Sequence, residues 1–209
     1  MILKNISLVS LLSILSITGI AQNKGKADAL ATKMEWFADA KLGIFIHEGI
    51  YAVDGVDESW SFYNKKISYA EYMKQLKSFT LSKYDPAFWA DLIQESGARY
   101  AVVTTKHHDG IAMYDTKLNK LSIVKSTPAK KDLIAPFFAE LRKRGIKAGA
   151  YYSLIDWSHP DYPGFLKDSS RYQVAADYKR WNKFRDFFQG QIKEINSAYK
   201  PDVWWFDGD

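Results

Sequence analysis

The stretch Pro201-Asp202-Val203-Trp204-Trp205-Phe206-Asp207-Gly208-Asp209 decides the fold. Its apolar centre, Val203 to Phe206, is too short for a helix and reads as a buried strand that hands a carboxylate, Asp207, to a glycine turn. The same arrangement recurs upstream. Leu42-Gly-Ile-Phe-Ile46 runs into His47-Glu48-Gly49, Tyr100 to Thr105 runs into Lys106-His107-His108-Asp109-Gly110, and Ile146 to Ser153 leads to Asp156-Trp157. Helical segments separate these strands. Asp85 is placed to cap a helix opened by Pro86 and stopped by Gly97, Asp132 to Arg144 is amphipathic with Gly145 as its stop, and Tyr172 to Ala198 is long and aromatic-rich. Ala27 to Ala40 and Ser68 to Phe79 also carry helical spacing, whereas Asp54 to Lys66 reads as a loop around Trp60.

Strict alternation of apolar strands with helices predicts an α/β fold, a parallel sheet covered by helices. No G-x-G-x-x-G or Walker-type loop follows any strand, which disfavours a doubly wound nucleotide-binding sheet. Every strand instead ends in His, Asp, Tyr or Trp, as the C-terminal rim of a (β/α)8 barrel requires. Such barrels need roughly 250 residues. The expectation is therefore the N-terminal half of a (β/α)8 TIM-like barrel, incomplete in this chain.

With 47% hydrophobic residues, the 209-residue chain holds enough apolar material for one sizeable core. Its net charge of +5 comes from basic residues spread among acidic ones, without interleaved base-stacking aromatics, so nucleic acid is not an expected partner. Residues 1–21 read as a secretory signal peptide: Lys4 supplies the charge, Ile6 to Ile20 the apolar run, and Gly19 and Ala21 the small residues of a cleavage site. The apolar run is too short and too rich in serine for a membrane anchor, so export to the periplasm or medium is expected, with no membrane association after cleavage. There is no cysteine for disulfides or lipid attachment. Residues 22–32 form a polar lead-in, and 33–209 the first half of the barrel.

The four strand ends would gather His47, then His107, His108 and Asp109, then Tyr151 or Tyr152 with Asp156 and Trp157, then Trp205 and Asp207, around one rim. A catalytic metal is not expected. His47-Glu48 lacks a second histidine four residues on, and adjacent His107 and His108 point to opposite faces unless the strand ends between them. No G-x-S-x-G elbow supports a serine nucleophile. What remains is a carboxylate amid imidazoles and aromatic rings. That set suits glycoside hydrolysis, in which one carboxylate attacks the anomeric carbon while polar and planar groups hold the sugar.

Lys41-Leu-Gly-Ile-Phe-Ile-His47-Glu-Gly, Tyr84-Asp-Pro-Ala-Phe-Trp89, Thr104-Thr-Lys-His-His-Asp-Gly110, Gly149-Ala-Tyr-Tyr-Ser153 and Trp204-Trp-Phe-Asp207-Gly resemble, in order, the signature blocks of α-L-fucosidases of glycoside hydrolase family 29. The resemblance, running from about Met34 onward, implies a (β/α)8-like domain that removes terminal α-L-fucose from fucosylated glycans or glycoconjugates with retention. It implies a covalent fucosyl-enzyme and no metal or organic cofactor. It assigns Asp207 as nucleophile, His47, His107 and His108 to the fucose hydroxyls, and Trp60, Trp205 and one tyrosine of the Tyr151-Tyr152 pair, taken as Tyr152, to the sugar lining. Glu58 stands near the family's acidic residue, which directly precedes the tryptophan; here Ser59 intervenes. The general acid/base is implied to lie in a segment after the nucleophile strand, outside this chain, so the chain alone is expected to be inactive or nearly so. A non-catalytic fucose-binding remnant and a barrel glycosidase for another sugar are the alternatives, and oligomeric state is unassigned.

Overall fold

A computed structural model describes residues 32–165 and 169–208. The signal-peptide reading, nearly all of the lead-in and Asp209 lie outside the described residues. Residues 32–40 are helical and belong to an N-terminal unit, Met1–Lys41; a second unit, Leu42–Asp209, carries the sheet. No helix among the described residues is long and apolar enough to cross a membrane.

Four strands, β1 (Gly43–Ile46), β2 (Tyr100–Lys106), β3 (Lys147–Ser153) and β4 (Val203–Asp207), form one sheet in the order β1-β2-β3-β4, each pair parallel. Sequential, all-parallel neighbours joined by helices are the topology of one half of a (β/α)8 barrel. On one face Ala101, Val103, Ala148, Ala150 and Tyr152 join the main apolar core. On the other, a Cβ at Gly149 would meet Val102 Cγ2 at 2.6 Å and Val203 Cγ1 at 2.8 Å. Gly149 is therefore what lets three strands curve together on that side.

Three long helices cover the sheet: α1 (Pro86–Glu95), α2 (Ile134–Lys143) and α3 (Tyr178–Tyr199). An aspartate serves the first turn of each. Asp85 Oδ1 accepts from the backbone N–H of Ala87 and Phe88, both at 3.0 Å, Asp132 Oδ1 from Ile134 and Ala135, and Asp177 Oδ1 from Arg180. These bonds satisfy donors that no preceding turn can reach. Gly97 and Gly145, at φ +79° and +71°, take the left-handed conformation that ends α1 and α2. Ile134, Phe137, Phe138 and Leu141 are buried from one stripe of α2, each worth about 1.5–3 kcal/mol of transfer free energy. Phe137→Ala would open a hole costing about 3–5 kcal/mol.

The helix expected from Tyr172 begins only at Tyr178, because Asp177 caps it and a 3-10 turn, Val174–Ala176, precedes it. The expected loop around Trp60 contains a one-turn helix, Trp60–Tyr63, and the segment from Ser68 divides into Tyr69–Met73 and a tighter turn, Lys74–Lys77.

Candidate active site at the strand ends

The rim is locked before any ligand arrives. The Thr104 hydroxyl donates to the Glu48 carbonyl at 2.6 Å and accepts from the Glu48 N–H at 2.8 Å, fixing the turn after β1 to β2. Near the end of β2 the pairing with β3 slips between Thr104 and Lys106. Such a slip re-aims the following side chains. The strand stops at Lys106, so His107 and His108 escape strict alternation and lie with ring centroids only 4.3 Å apart.

His107 stacks on Tyr151 at 5.6 Å with the rings 13° apart, and its Nδ1 is 2.6 Å from Ser59 Oγ. His47 stacks on Phe45 at 4.9 Å and meets Tyr151 edge-on at 5.0 Å. Glu58 stands between them, Oε1 3.5 Å from His47 Nδ1 and Oε2 3.4 Å from His107 Nε2. Its reach comes from a left-handed backbone, φ +43°, followed by the buried Ser59. The intervening serine therefore does not remove this carboxylate from the site.

His108 has a definable tautomer. The Ser153 hydroxyl donates to the Ile155 carbonyl at 2.8 Å, so at 2.6 Å it accepts from His108 Nδ1–H. Nε2 is then left as an acceptor, 3.7 Å from Asp207 Oδ2. Burial pushes His107 down to about 2, helped by the neighbouring His108. Burial also lowers His108 to about 4, although Asp207 pulls it back upward. Both imidazoles are neutral at physiological pH, each offering one donor and one acceptor to a polyol.

Asp207 is oriented from both sides: Oδ1 accepts from the Gly208 N–H at 2.8 Å and Oδ2 from the Tyr151 hydroxyl at 2.5 Å. The tyrosine at the site is thus Tyr151, not the expected Tyr152. In the β3–β4 register Tyr151 faces Trp205, and Ser153 faces Asp207. Tyr152, one residue on, points to the opposite face, where it is fully buried and donates to Gln191 Oε1 at 2.7 Å. Trp205 meets Phe45 edge-on at 5.3 Å and remains 53% exposed, while Trp60 lies edge-on to His108 at 5.3 Å. Behind Trp60, the buried Trp157 stacks on Tyr63 at 4.6 Å and touches His108.

Asp109 and Asp156, although at strand ends, are buried supports. Asp109 accepts from Tyr72 OH at 2.5 Å and the Ile111 N–H at 2.9 Å, and burial raises it to about 6. Asp156 accepts from the Ser158 hydroxyl, the N–H groups of Ser158 and His159, and the fully buried Lys106 Nζ at 3.2 Å. Ser59 and Ser153, which orient the two histidines, are the residues that the sequence reading missed; no motif singles out a serine in such a place.

A carboxylate held at the C-terminal end of β4 beside His108, on a rim that also gathers His47, His107 and aromatic rings, places this chain among the (β/α)-barrel proteins of the glycoside hydrolase class. Residues 18–209 match the family model described as Alpha-L-fucosidase. The chain belongs to the α-L-fucosidase family. It is 33% identical over 192 residues to tissue alpha-L-fucosidase of Homo sapiens, covering 83% of this chain and 39% of that protein. It superimposes on alpha-L-fucosidase isoenzyme 1 of Paenibacillus thiaminolyticus with a TM-score of 0.75 at 36% identity, covering 85% of this chain and 43% of the other. A second match is a Bacteroides thetaiotaomicron GH29 alpha-L-fucosidase holding a trapped covalent intermediate in complex with 2-fluoro-fucosyl fluoride (TM-score 0.73, 32% identity, 85% of this chain and 41% of the other). The chain thus spans about 40% of the length of the curated relatives it matches.

Proposed function

We propose that this chain is the nucleophile-bearing part of an exported, retaining exo-α-L-fucosidase acting on fucosylated glycans or glycoconjugates. The observation that carries the proposal is the setting of Asp207. One oxygen is pinned by a backbone N–H, the other by a phenol, and the carboxylate faces the neutral imidazole of His108. In the first half-reaction an Asp207 oxygen bonds to the anomeric carbon as the glycosidic bond breaks, giving a fucosyl-enzyme. A second carboxyl group protonates the departing oxygen and later activates water. The family resemblance assigns that second group to a segment following β4. His108 Nε2 accepts from a sugar hydroxyl beside Asp207, while His47 and His107 hold further hydroxyls. Trp60 and Trp205 supply apolar faces for sugar C–H groups. Export rests on the apolar run and small-residue cleavage site within residues 1–21.

The test is covalent trapping with 2-fluoro-fucosyl fluoride. The Asp207 carboxylate forms the C–O bond as the C–F bond breaks and fluoride leaves with the electron pair. No proton needs to reach the leaving group, so the acid/base carboxyl is not required for this step. Mass spectrometry should find one added fluorofucosyl group on the peptide containing Asp207, and none in Asp207→Asn. L-Fucose binding without an adduct would mark a binding protein instead; an adduct on another residue would refute the nucleophile assignment.

A further inference from the structure

Three metal-ligand atoms converge in the mouth of the site from residues that share no metal-binding sequence spacing. One imidazole nitrogen each of His47 and His107 and a Glu58 oxygen lie within 4.8 Å of one another. The individual separations matter more. Each Glu58 oxygen faces one imidazole nitrogen, at 3.5 Å for His47 and 3.4 Å for His107. In a tetrahedral zinc site with metal–ligand bonds of about 2.0–2.2 Å, neighbouring donor atoms stand roughly 3.3–3.5 Å apart. Both nitrogen–oxygen separations have that length, one to each carboxylate oxygen, and one ligand atom from each of the three residues lies within 4.8 Å of the others, so an ion would draw the two imidazoles together over the carboxylate.

We infer that His47, Glu58 and His107 form a capture site for a divalent cation of the zinc class, one that occupies the pocket instead of taking part in the chemistry. Two nitrogens and a carboxylate select Zn2+, Co2+ or Ni2+ over Mg2+ and Ca2+, which prefer all-oxygen sets. The site also has an outer support. Ser59 Oγ lies 2.6 Å from His107 Nδ1, the ring nitrogen remote from the ion; with the proton on Nδ1 and donated to that hydroxyl, the Nε2 lone pair is free for the ion. The Tyr151 ring lies 5.0 Å from the His47 ring and 5.6 Å from that of His107, walling one side. The remaining coordination positions face the open pocket. Competition between the ion and a sugar rests on the fucose-pocket reading above; capture of the ion rests on the donor geometry alone.

The experiment titrates the full, untagged 209-residue chain with cobalt(II) chloride, followed by visible absorption and calorimetry. One saturable equivalent with the ligand-field bands of a four- or five-coordinate ion is expected, displaced by Zn2+ and untouched by Mg2+. Glu58→Gln should weaken binding at least about tenfold, and Ser59→Ala by about tenfold through the outer support. Glu58→Gly removes the carboxylate at a position whose positive φ glycine adopts freely, so it loses cobalt without losing the fold, as a melting curve will show. Excess L-fucose should displace the cobalt. Cobalt binding that depends on Glu58 but resists fucose leaves the metal site standing and counts against the fucose pocket. Fucose binding with no cobalt uptake, or cobalt uptake undiminished in folded Glu58→Gly, overturns the metal site.

Discussion

Glu48 follows His47 directly, yet it points away from the imidazoles toward a cavity of about 440 Å³. The cavity is lined by Phe79, Leu81, Lys83, Tyr84 and Trp89 among others. Burial raises its carboxyl from 4.5 to about 7, with no compensating partner. The folded state therefore binds this proton more tightly than the unfolded state does. The stabilisation is complete below the unfolded value near 4.5 and is lost as pH rises through about 7. A displacement of that size corresponds to at most ~3 kcal/mol, and water reaching the carboxyl through the cavity brings the expected effect to about 1–3 kcal/mol. Glu48→Gln keeps the shape and cannot ionise. Urea unfolding of both proteins at about pH 5 and about pH 8, read by tryptophan fluorescence, isolates the group, because other titrations cancel in the difference. The variant should gain about 1–3 kcal/mol on the parent between those two conditions. A stability difference that is the same at both would show that Glu48 is ionised in a solvated setting and would refute the reasoning.

Tyr151→Phe removes the donor to Asp207 Oδ2 and should weaken L-fucose binding and slow fluorofucosyl trapping, whereas Tyr152→Phe should cost about 1 kcal/mol of stability through Gln191 and leave sugar binding intact. Calorimetry and urea titration of the pair read this contrast, and equal effects on binding would overturn the Tyr151 assignment. Imidazole nitrogen NMR should find His108 neutral with its proton on Nδ1 down to about pH 5, titrating near 4; protonation already complete at about pH 6 would contradict the burial argument. Lys106→Met leaves Asp156 as an uncompensated buried charge and should destabilise by about 3–5 kcal/mol in urea unfolding, with most of the loss restored in Lys106→Met/Asp156→Asn.

The fold was legible because all four strands stand out as short apolar runs and the helices are punctuated by Asp85, Pro86, Gly97, Asp132 and Gly145. Facing was less legible. The segment Ala148-Gly149-Ala150 that leads into the tyrosine pair is uniformly small, so hydrophobic alternation gives no parity, and only the pairing with β4 reveals that Tyr151 shares a face with Trp205 and Asp207. The histidine pair posed the converse problem: their common direction depends on β2 ending at Lys106 and on a slip in register, neither of which residue types encode. Ser59 and Ser153 were invisible because a hydroxyl acquires its orienting role only from what lies 2.6 Å away.

Residue type and strand-end position also fail to separate the nucleophile candidate from its neighbours; what occupies each carboxylate does. Asp156 collects four hydrogen bonds, one of them from a lysine, and is wholly buried. Asp109 is sealed between a phenol and a backbone N–H at 1% exposure. Neither retains an oxygen that a substrate could reach, and their bonds fix the loops after β2 and β3 on which the histidines depend. Asp207 receives one hydrogen bond on each oxygen while its side chain stays 43% exposed. Each of its oxygens therefore keeps a lone pair, and the carboxylate keeps its solvent face, which is the arrangement that attack on an anomeric carbon demands. The two buried aspartates hold the frame, and the third is held by it.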